Sequence, residues 1–142
     1  MKGRILSKRF FQGIFWSYLA ALLVFTIIPS QTGPARSLNH HYLLMIRWDY
    51  LLHAIAYLPL PALIYFSYGN GFKTISRLNR QAWVIGLTLA FSIAAGFELL
   101  QLVIPYRSFN INDLTGNVGG VIAGSVLLLV FSGRRSSPVF FG

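Results

Sequence analysis

The stretch AWVIGLTLAFSIAAGFELLQLVI, residues 82–104, decides the fold of this chain. It is longer than the roughly 20 apolar residues that an α-helix needs to cross the hydrocarbon core of a bilayer. Its one charged residue is Glu98. The stretch therefore predicts a transmembrane helix that carries a single carboxylate at membrane depth, where such a group is costly and usually functional.

Three further stretches have the same apolar character, at residues 10–28, 49–68 and 113–131. The hydrophobic share of the chain is 55% and its charged share is 11%, a composition typical of membrane proteins. With residues 82–104, these stretches predict an all-α polytopic membrane protein, with four transmembrane helices in two hairpins. We expect a single domain over residues 1–142, because the connections leave no room for a separate soluble domain.

The positive charge is distributed unevenly over the predicted topology. Of the 12 Lys and Arg residues, three are predicted on the outer side, namely Arg36, Arg47 and Arg107, and the others on the opposite side. The positive-inside rule then places both termini in the cytoplasm. Orientation and attraction to anionic lipid headgroups account for the net charge of +9, so we expect membrane lipids and no nucleic acid as partners.

The polar residues of the spans fall at helical spacings near one end. Side chains at i, i+3 and i+4 share a face of a helix. The second and fourth spans begin, and the third ends, on the same predicted side, so their polar faces are expected to meet in the outer half of the bilayer. The loop between the third and fourth spans joins them there. The candidate site residues are Asp49, His53, Tyr57, Glu98, Gln101, Arg107, Ser108, Asp113 and Asn117.

Several of these residues also have a structural interpretation. Asp49 and Asp113 are predicted to begin helices, where a carboxylate can cap free N–H groups. Arg107 can neutralise a neighbouring acid, and His53 can be an interhelical hydrogen-bonding group. Glu98 does not fit a capping role, because it lies two turns inside its helix.

Small residues and prolines make predictions about helix packing. Gly116, Gly120 and Gly124 recur every fourth residue in the fourth span, which indicates a ridge for close contact with another helix. Pro59 and Pro61 lie inside the second span and predict that this helix is kinked below the level of His53.

The ordered motifs DxxxHxxxY (from Asp49), ExxQ (from Glu98), PxRSF (from Pro105) and DxxxNxxG (from Asp113) resemble those of the VanZ-like family of small bacterial membrane proteins. The similarity runs from about residue 49 to 124. It implies a location in the bacterial cytoplasmic membrane, and the founding member is associated with low-level resistance to the glycopeptide teicoplanin. Two positions depart from the family pattern: Tyr50 replaces a frequent lysine, and Asn110 a frequent acid.

One functional hypothesis is an intramembrane enzyme that acts on a lipid or cell-wall-related headgroup. The candidate catalytic residues are then Asp49, His53, Glu98 and Asp113, with His53 as general acid or base oriented by Asp49. Arg107 is the expected phosphate-binding group. The other candidate substrate-binding residues are Ser108, Tyr57, Gln101 and Asn117.

A metal-dependent variant of this hypothesis uses the same four candidate catalytic residues as ligands. Arg107 competes with a metal ion as their counter-charge, and the absence of cysteine excludes a thiolate zinc site, so no metal and no cofactor are expected. The competing hypothesis is a non-catalytic membrane binding or auxiliary protein, whose polar cluster is an ion-pair network. Transport is less well supported, because four spans are few for a carrier.

Overall fold

The computed structural model of the chain describes residues 8–28, 42–43, 46–68 and 80–133. The side chain of Asp49, a predicted site residue, lies outside the described part. The described elements are α1 (Lys8–Ile27), β1 (Tyr42–Leu43), β2 (Ile46–Arg47), α2 (Trp48–Tyr57), α3 (Leu60–Tyr68), α4 (Arg80–Leu100), the short 3-10 helix η1 (Gln101–Val103) and α5 (Ile111–Gly133). The two-residue strands pair antiparallel just before α2, and everything else in this list is helical. The all-α prediction is confirmed.

Four segments are long and apolar enough to cross a membrane: Lys8–Ile27, Tyr50–Tyr68, Arg80–Val103 and Ile111–Phe131. Their ends lie within two residues of the predicted spans. Large apolar side chains stay exposed along all four, including Trp16, Ile55, Leu99 and Phe131. An apolar surface of this extent is expected where lipid, rather than water, covers the protein.

The kink predicted in the second span from its prolines is a full break into two helices. Helix α2 ends at Tyr57, Leu58 and Pro59 form a turn, and α3 begins at Leu60. Proline has no N–H to donate and its ring clashes with the preceding turn, so it breaks a helix interior. Pro61 lies in the first turn of α3, where a missing N–H is tolerated. Main-chain hydrogen bonds continue on both sides of the break, from Leu58 N to Ala54 O at 3.1 Å and from Leu63 N to Pro59 O at 3.0 Å.

The predicted glycine ridge is the contact between α5 and α2. A Cβ atom added at Gly116 would lie 2.9 Å from the Tyr50 carbonyl oxygen and 3.1 Å from the His53 Cβ. At Gly120 the added atom would overlap the Ala54 carbonyl, and at Gly124 that of Leu58. Three glycines four residues apart therefore let the α5 backbone approach α2 and the turn after it closely, which fixes α2 against α5.

The first helix packs on the interrupted span from the other side. Gln12 Nε2 donates to Ser67 O at 3.3 Å, and Ser67 Oγ donates to Phe11 O at 2.9 Å. Further along α1, the Tyr18 hydroxyl donates to the Ala56 carbonyl. These bonds satisfy polar groups in an apolar setting and set α1 against α2 and α3. The apolar core between the helices is formed by Phe15, Leu22, Tyr57, Leu60, Ile64, Ala90, Ala94 and Val121.

Candidate functional site: a polar ring at one end of the bundle

A cluster of polar side chains occupies the end of the bundle where α1 and α4 end and α2 and α5 begin. Hairpin geometry brings these four helix ends together, and the connection of residues 104–110 joins α4 to α5 there and bonds to α1 and α4. Direct contacts bring together five of the residues predicted for the site, namely His53, Glu98, Gln101, Asp113 and Asn117.

Glu98 lies at the base of the cluster and is 1% exposed. Its Oε1 accepts a bond from the main-chain N–H of Asn110 at 3.2 Å. Its Oε2 accepts from Asn117 Nδ2 at 3.3 Å and from Gln101 Nε2 at 3.4 Å. Both carboxylate oxygens therefore have N–H donors from two other parts of the chain, which compensates part of the cost of burying the group.

Asn117 joins Glu98 to His53. Its amide oxygen lies 2.9 Å from His53 Nδ1. The amide nitrogen of Asn117 donates to Glu98, so the amide oxygen is the atom that faces His53. An amide oxygen only accepts hydrogen bonds, and Nδ1 of His53 therefore carries the proton. The buried amide thus sets the tautomer of the imidazole and turns Nε2 toward Asp113. The ring of Phe25, near the end of α1, packs edge-on against the imidazole with the centroids 5.7 Å apart.

His53 and Asp113 form the more exposed rim of the cluster. His53 Nε2 lies 3.8 Å from Asp113 Oδ2, and the two side chains are 12% and 16% exposed. This distance allows an ion pair with a protonated imidazole, but it is too long for a hydrogen bond. The two groups are therefore close enough to form an ion pair, and both are partly exposed at the surface of the cluster.

Asn110 closes the cluster into a ring, and sequence reasoning missed it. Its Nδ2 donates to Asp113 Oδ1 at 3.1 Å, while its main chain donates to Glu98. Its Oδ1 accepts from Asn112 N at 3.0 Å, so Asn110 is the N-cap of α5. The polar ring is defined by these contacts as Glu98, Asn117, His53, Asp113 and Asn110. The spacing Asn110-x-x-Asp113, a cap followed three residues later by an acid, was the available signal.

The capping interpretation of Asp113 is corrected by the same contacts. Helix α5 begins at Ile111, so Asp113 is its third residue and not the cap. An acid in the first turn is still favourable next to the positive end of the helix dipole.

Arg107 is directed to the first helix. Its Nε donates to Thr26 O at 2.9 Å and its terminal nitrogen to Phe25 O at 3.2 Å. The last carbonyls of a helix have no intrahelical partners, and a cation suits that end of the dipole. Within the described part of the chain, the hydrogen bonds of the guanidinium thus cap α1 and do not reach Glu98 or Asp113.

The remaining predicted site residues are placed apart from the polar ring or outside the described part. Tyr57 is 3% exposed and belongs to the apolar core. Ser108 is exposed on the connection before α5. The orientation of Asp49 stays a prediction, because its side chain lies outside the described residues. Among the described side chains, no group of three or more His, Asp or Glu is arranged to hold a metal ion.

The comparison with protein families agrees with the motifs. The family model described as VanZ/LLP1 matches residues 15–132, a region that contains all the residues of the polar ring. Neither a curated protein nor a solved structure gives a significant match. The chain belongs to the VanZ-like family.

Proposed function

We propose that this VanZ-like protein lies in the bacterial cytoplasmic membrane and uses the rim of the polar ring to bind the hydroxyl-bearing headgroup of a lipid-linked, cell-wall-related compound. The bundle end would face away from the cytoplasm, since the basic residues cluster at the opposite ends of the spans. An apolar tail would remain in the surrounding bilayer.

The observation that carries the proposal is the pair of atoms His53 Nε2 and Asp113 Oδ2, 3.8 Å apart at the edge of an otherwise buried network. Nε2 of a neutral imidazole protonated at Nδ1 is an acceptor, so a ligand hydroxyl at the rim can donate to it, with the Asp113 carboxylate close by. The base of the network holds them still: Asn117 fixes the imidazole and Asn110 fixes the carboxylate. Preorganised acceptors of this kind lose little entropy when a ligand binds.

The same geometry supports proton transfer at a bound headgroup. His53 Nε2 is the nitrogen without a hydrogen-bond partner in the ring, and it is available to take a proton from a ligand hydroxyl. Asp113 would then stabilise the imidazolium as its ion-pair partner. Processing of the headgroup, and any contribution to teicoplanin resistance, would depend on this step.

A second candidate function is favoured by Arg107. Since this cation caps α1 and the polar ring closes on itself, the cluster also has the features of a network that sets helix register in a non-catalytic membrane binding or auxiliary protein. In that case its residues contribute to stability and none contacts a ligand.

Binding and thermal unfolding of three variants distinguish the two functions. The probe is a fluorescent polyprenyl diphosphate sugar, compared with the same polyprenyl diphosphate lacking the sugar. We expect His53→Ala and Asp113→Asn to weaken binding of the sugar-bearing probe by about tenfold or more, equivalent to about 1.4 kcal/mol, and to leave the sugar-free probe unaffected. Asn112→Ala, an exposed amide at the same end, is the matched control.

Unchanged binding in His53→Ala and Asp113→Asn, together with a lower unfolding temperature, would contradict the proposed function and support the structural network. Equal affinity of the wild-type protein for the two probes would exclude recognition through sugar hydroxyl groups.

A further inference from the structure

An apolar groove lies between α3 and α4, in the half of the bundle away from the polar ring. It has a volume of about 180 Å³ and is lined mainly by Pro61, Ile64, Tyr65, Tyr68, Trp83 and Gly86. Apolar cavities of about 150 Å³ take up ligands of the size of benzene, so the groove has room for a segment of a hydrocarbon chain.

Two features of the sequence create this groove. The break at Leu58–Pro59 ends α2 and starts α3 as a separate helix beside α4. Gly86 then leaves one side of α4 without a side chain, and the nearest atom to a Cβ added there is Ile64 Cγ2 at 3.6 Å. The space is an opening between two helices, and larger residues at 86 would fill it.

Exposed basic residues lie at the end of the bundle where α3 ends and α4 begins. The end of α3 lies beside the start of α1, since Phe15 packs on Tyr68 with ring centroids 5.4 Å apart. Lys8 and Arg9 therefore begin α1 at the same end of the bundle, and both are exposed. Arg80 begins α4 and is also exposed, one helical turn before Trp83 on the same face.

We propose that the groove is a binding site for an anionic phospholipid, with part of an acyl chain between α3 and α4 and the phosphate near Arg80. The apolar lining suits the chain, and exposed Arg80, one helical turn from Trp83, suits a headgroup with a net negative charge. Tyr68 and Trp83 lie between the two, the position that amphipathic aromatic rings take at a membrane interface. This site is separate from the polar ring and does not depend on the function proposed for it.

Charge complementarity predicts the selectivity of the site. A basic side chain near an anionic membrane surface contributes enough to favour an anionic lipid by roughly fivefold, and this preference adds to whatever the acyl chain contributes. A zwitterionic lipid with identical chains fills the groove without this preference.

Tryptophan quenching by brominated lipids tests the proposal. The chain has three tryptophans, so Trp16→Phe with Trp48→Phe leaves Trp83 in the groove as the only reporter. The matched control, Trp48→Phe with Trp83→Phe, keeps Trp16, which is 61% exposed on α1. Each protein is reconstituted in bilayers with increasing fractions of phosphatidylglycerol or phosphatidylcholine brominated in the acyl chain.

We expect phosphatidylglycerol to quench Trp83 at a several-fold lower mole fraction than phosphatidylcholine, with a clearly smaller difference at Trp16. Arg80→Gln should remove the preference at Trp83, and Gly86→Leu should reduce quenching of Trp83 by both lipids. Equal quenching of Trp83 by the two lipids, or the same preference at Trp16 as at Trp83, would overturn the proposal. Circular dichroism and unfolding of each variant confirm that the bundle is intact.

Discussion

At the scale of single residues, the notable feature is how the buried carboxylate of Glu98 is accommodated. Its hydrogen bonds in the described part of the chain come from neutral N–H groups, on Asn110, Asn117 and Gln101. Asn117 makes two of the contacts in the polar ring, one to Glu98 and one to His53, and is 1% exposed. A single amide thereby links the acid at the base to the imidazole at the rim.

Replacing Asn117 by leucine should lower the free energy of unfolding by about 1–3 kcal/mol, because Glu98 and His53 each lose a buried partner that water cannot easily replace. Thermal or denaturant unfolding in detergent micelles measures the effect. Asn112→Ala, on the exposed side of the same helix end, should stay within about 0.5 kcal/mol of the wild type. If the two variants unfold alike, Asn117 does not hold the ring together.

At the scale of elements, the site depends on how closely α5 approaches α2. The glycines at 116, 120 and 124 bring the α5 backbone against the carbonyls of Tyr50, Ala54 and Leu58. The first of these contacts lies next to His53, so helix packing and site geometry are the same feature there. Arg107 adds a second link by attaching the connection before α5 to the end of α1.

Substitution of alanine at Gly120 should therefore destabilise the bundle by about 1–3 kcal/mol, because the added methyl overlaps the Ala54 carbonyl and forces the helices apart. Gly119→Ala is the matched control, since a Cβ there meets nothing within 4 Å. It should be neutral or stabilising by up to about 1 kcal/mol, because alanine is the better helix former. Equal destabilisation of both variants in an unfolding titration would contradict a tight α2–α5 contact.

At the scale of the whole molecule, the two ends of the bundle differ in charge. The polar ring, with both its acids, occupies one end, while Lys8, Arg9 and Arg80 begin helices at the other. This asymmetry is what the positive-inside rule uses to orient a protein, and it predicts that the ring faces away from the cytoplasm.

Because the chain contains no cysteine, single cysteines report this orientation without further changes. Ser108→Cys, on the connection next to the polar ring, should react with a membrane-impermeant maleimide in intact cells. Ser76→Cys, between the second and third spans, should react only after the membrane is permeabilised. Labelling of position 76 from outside would show the reverse orientation and would place the ring in contact with the cytoplasm.

Much of the architecture could be predicted from the sequence, because hydropathy and proline position act locally. The apolar lengths placed the four spans to within two residues, and Pro59 placed the break in the second. Helical spacing together with topology also predicted that His53, Glu98 and Asn117 lie near one another, since alternate helix ends must meet at one side of a hairpin bundle.

The partners of each polar group were decided only by the tertiary structure. Nothing in the spacing of Arg107 indicated that it caps α1. Asn110, which replaces a frequent acid of the family, is not among the residues predicted from the sequence, although it closes the ring. A hydrogen bond depends on distances of a few tenths of an ångström between atoms far apart in the chain. Those distances follow from how closely the helices pack, here through Gly116 and Gly120, and not from the local pattern that makes each helix.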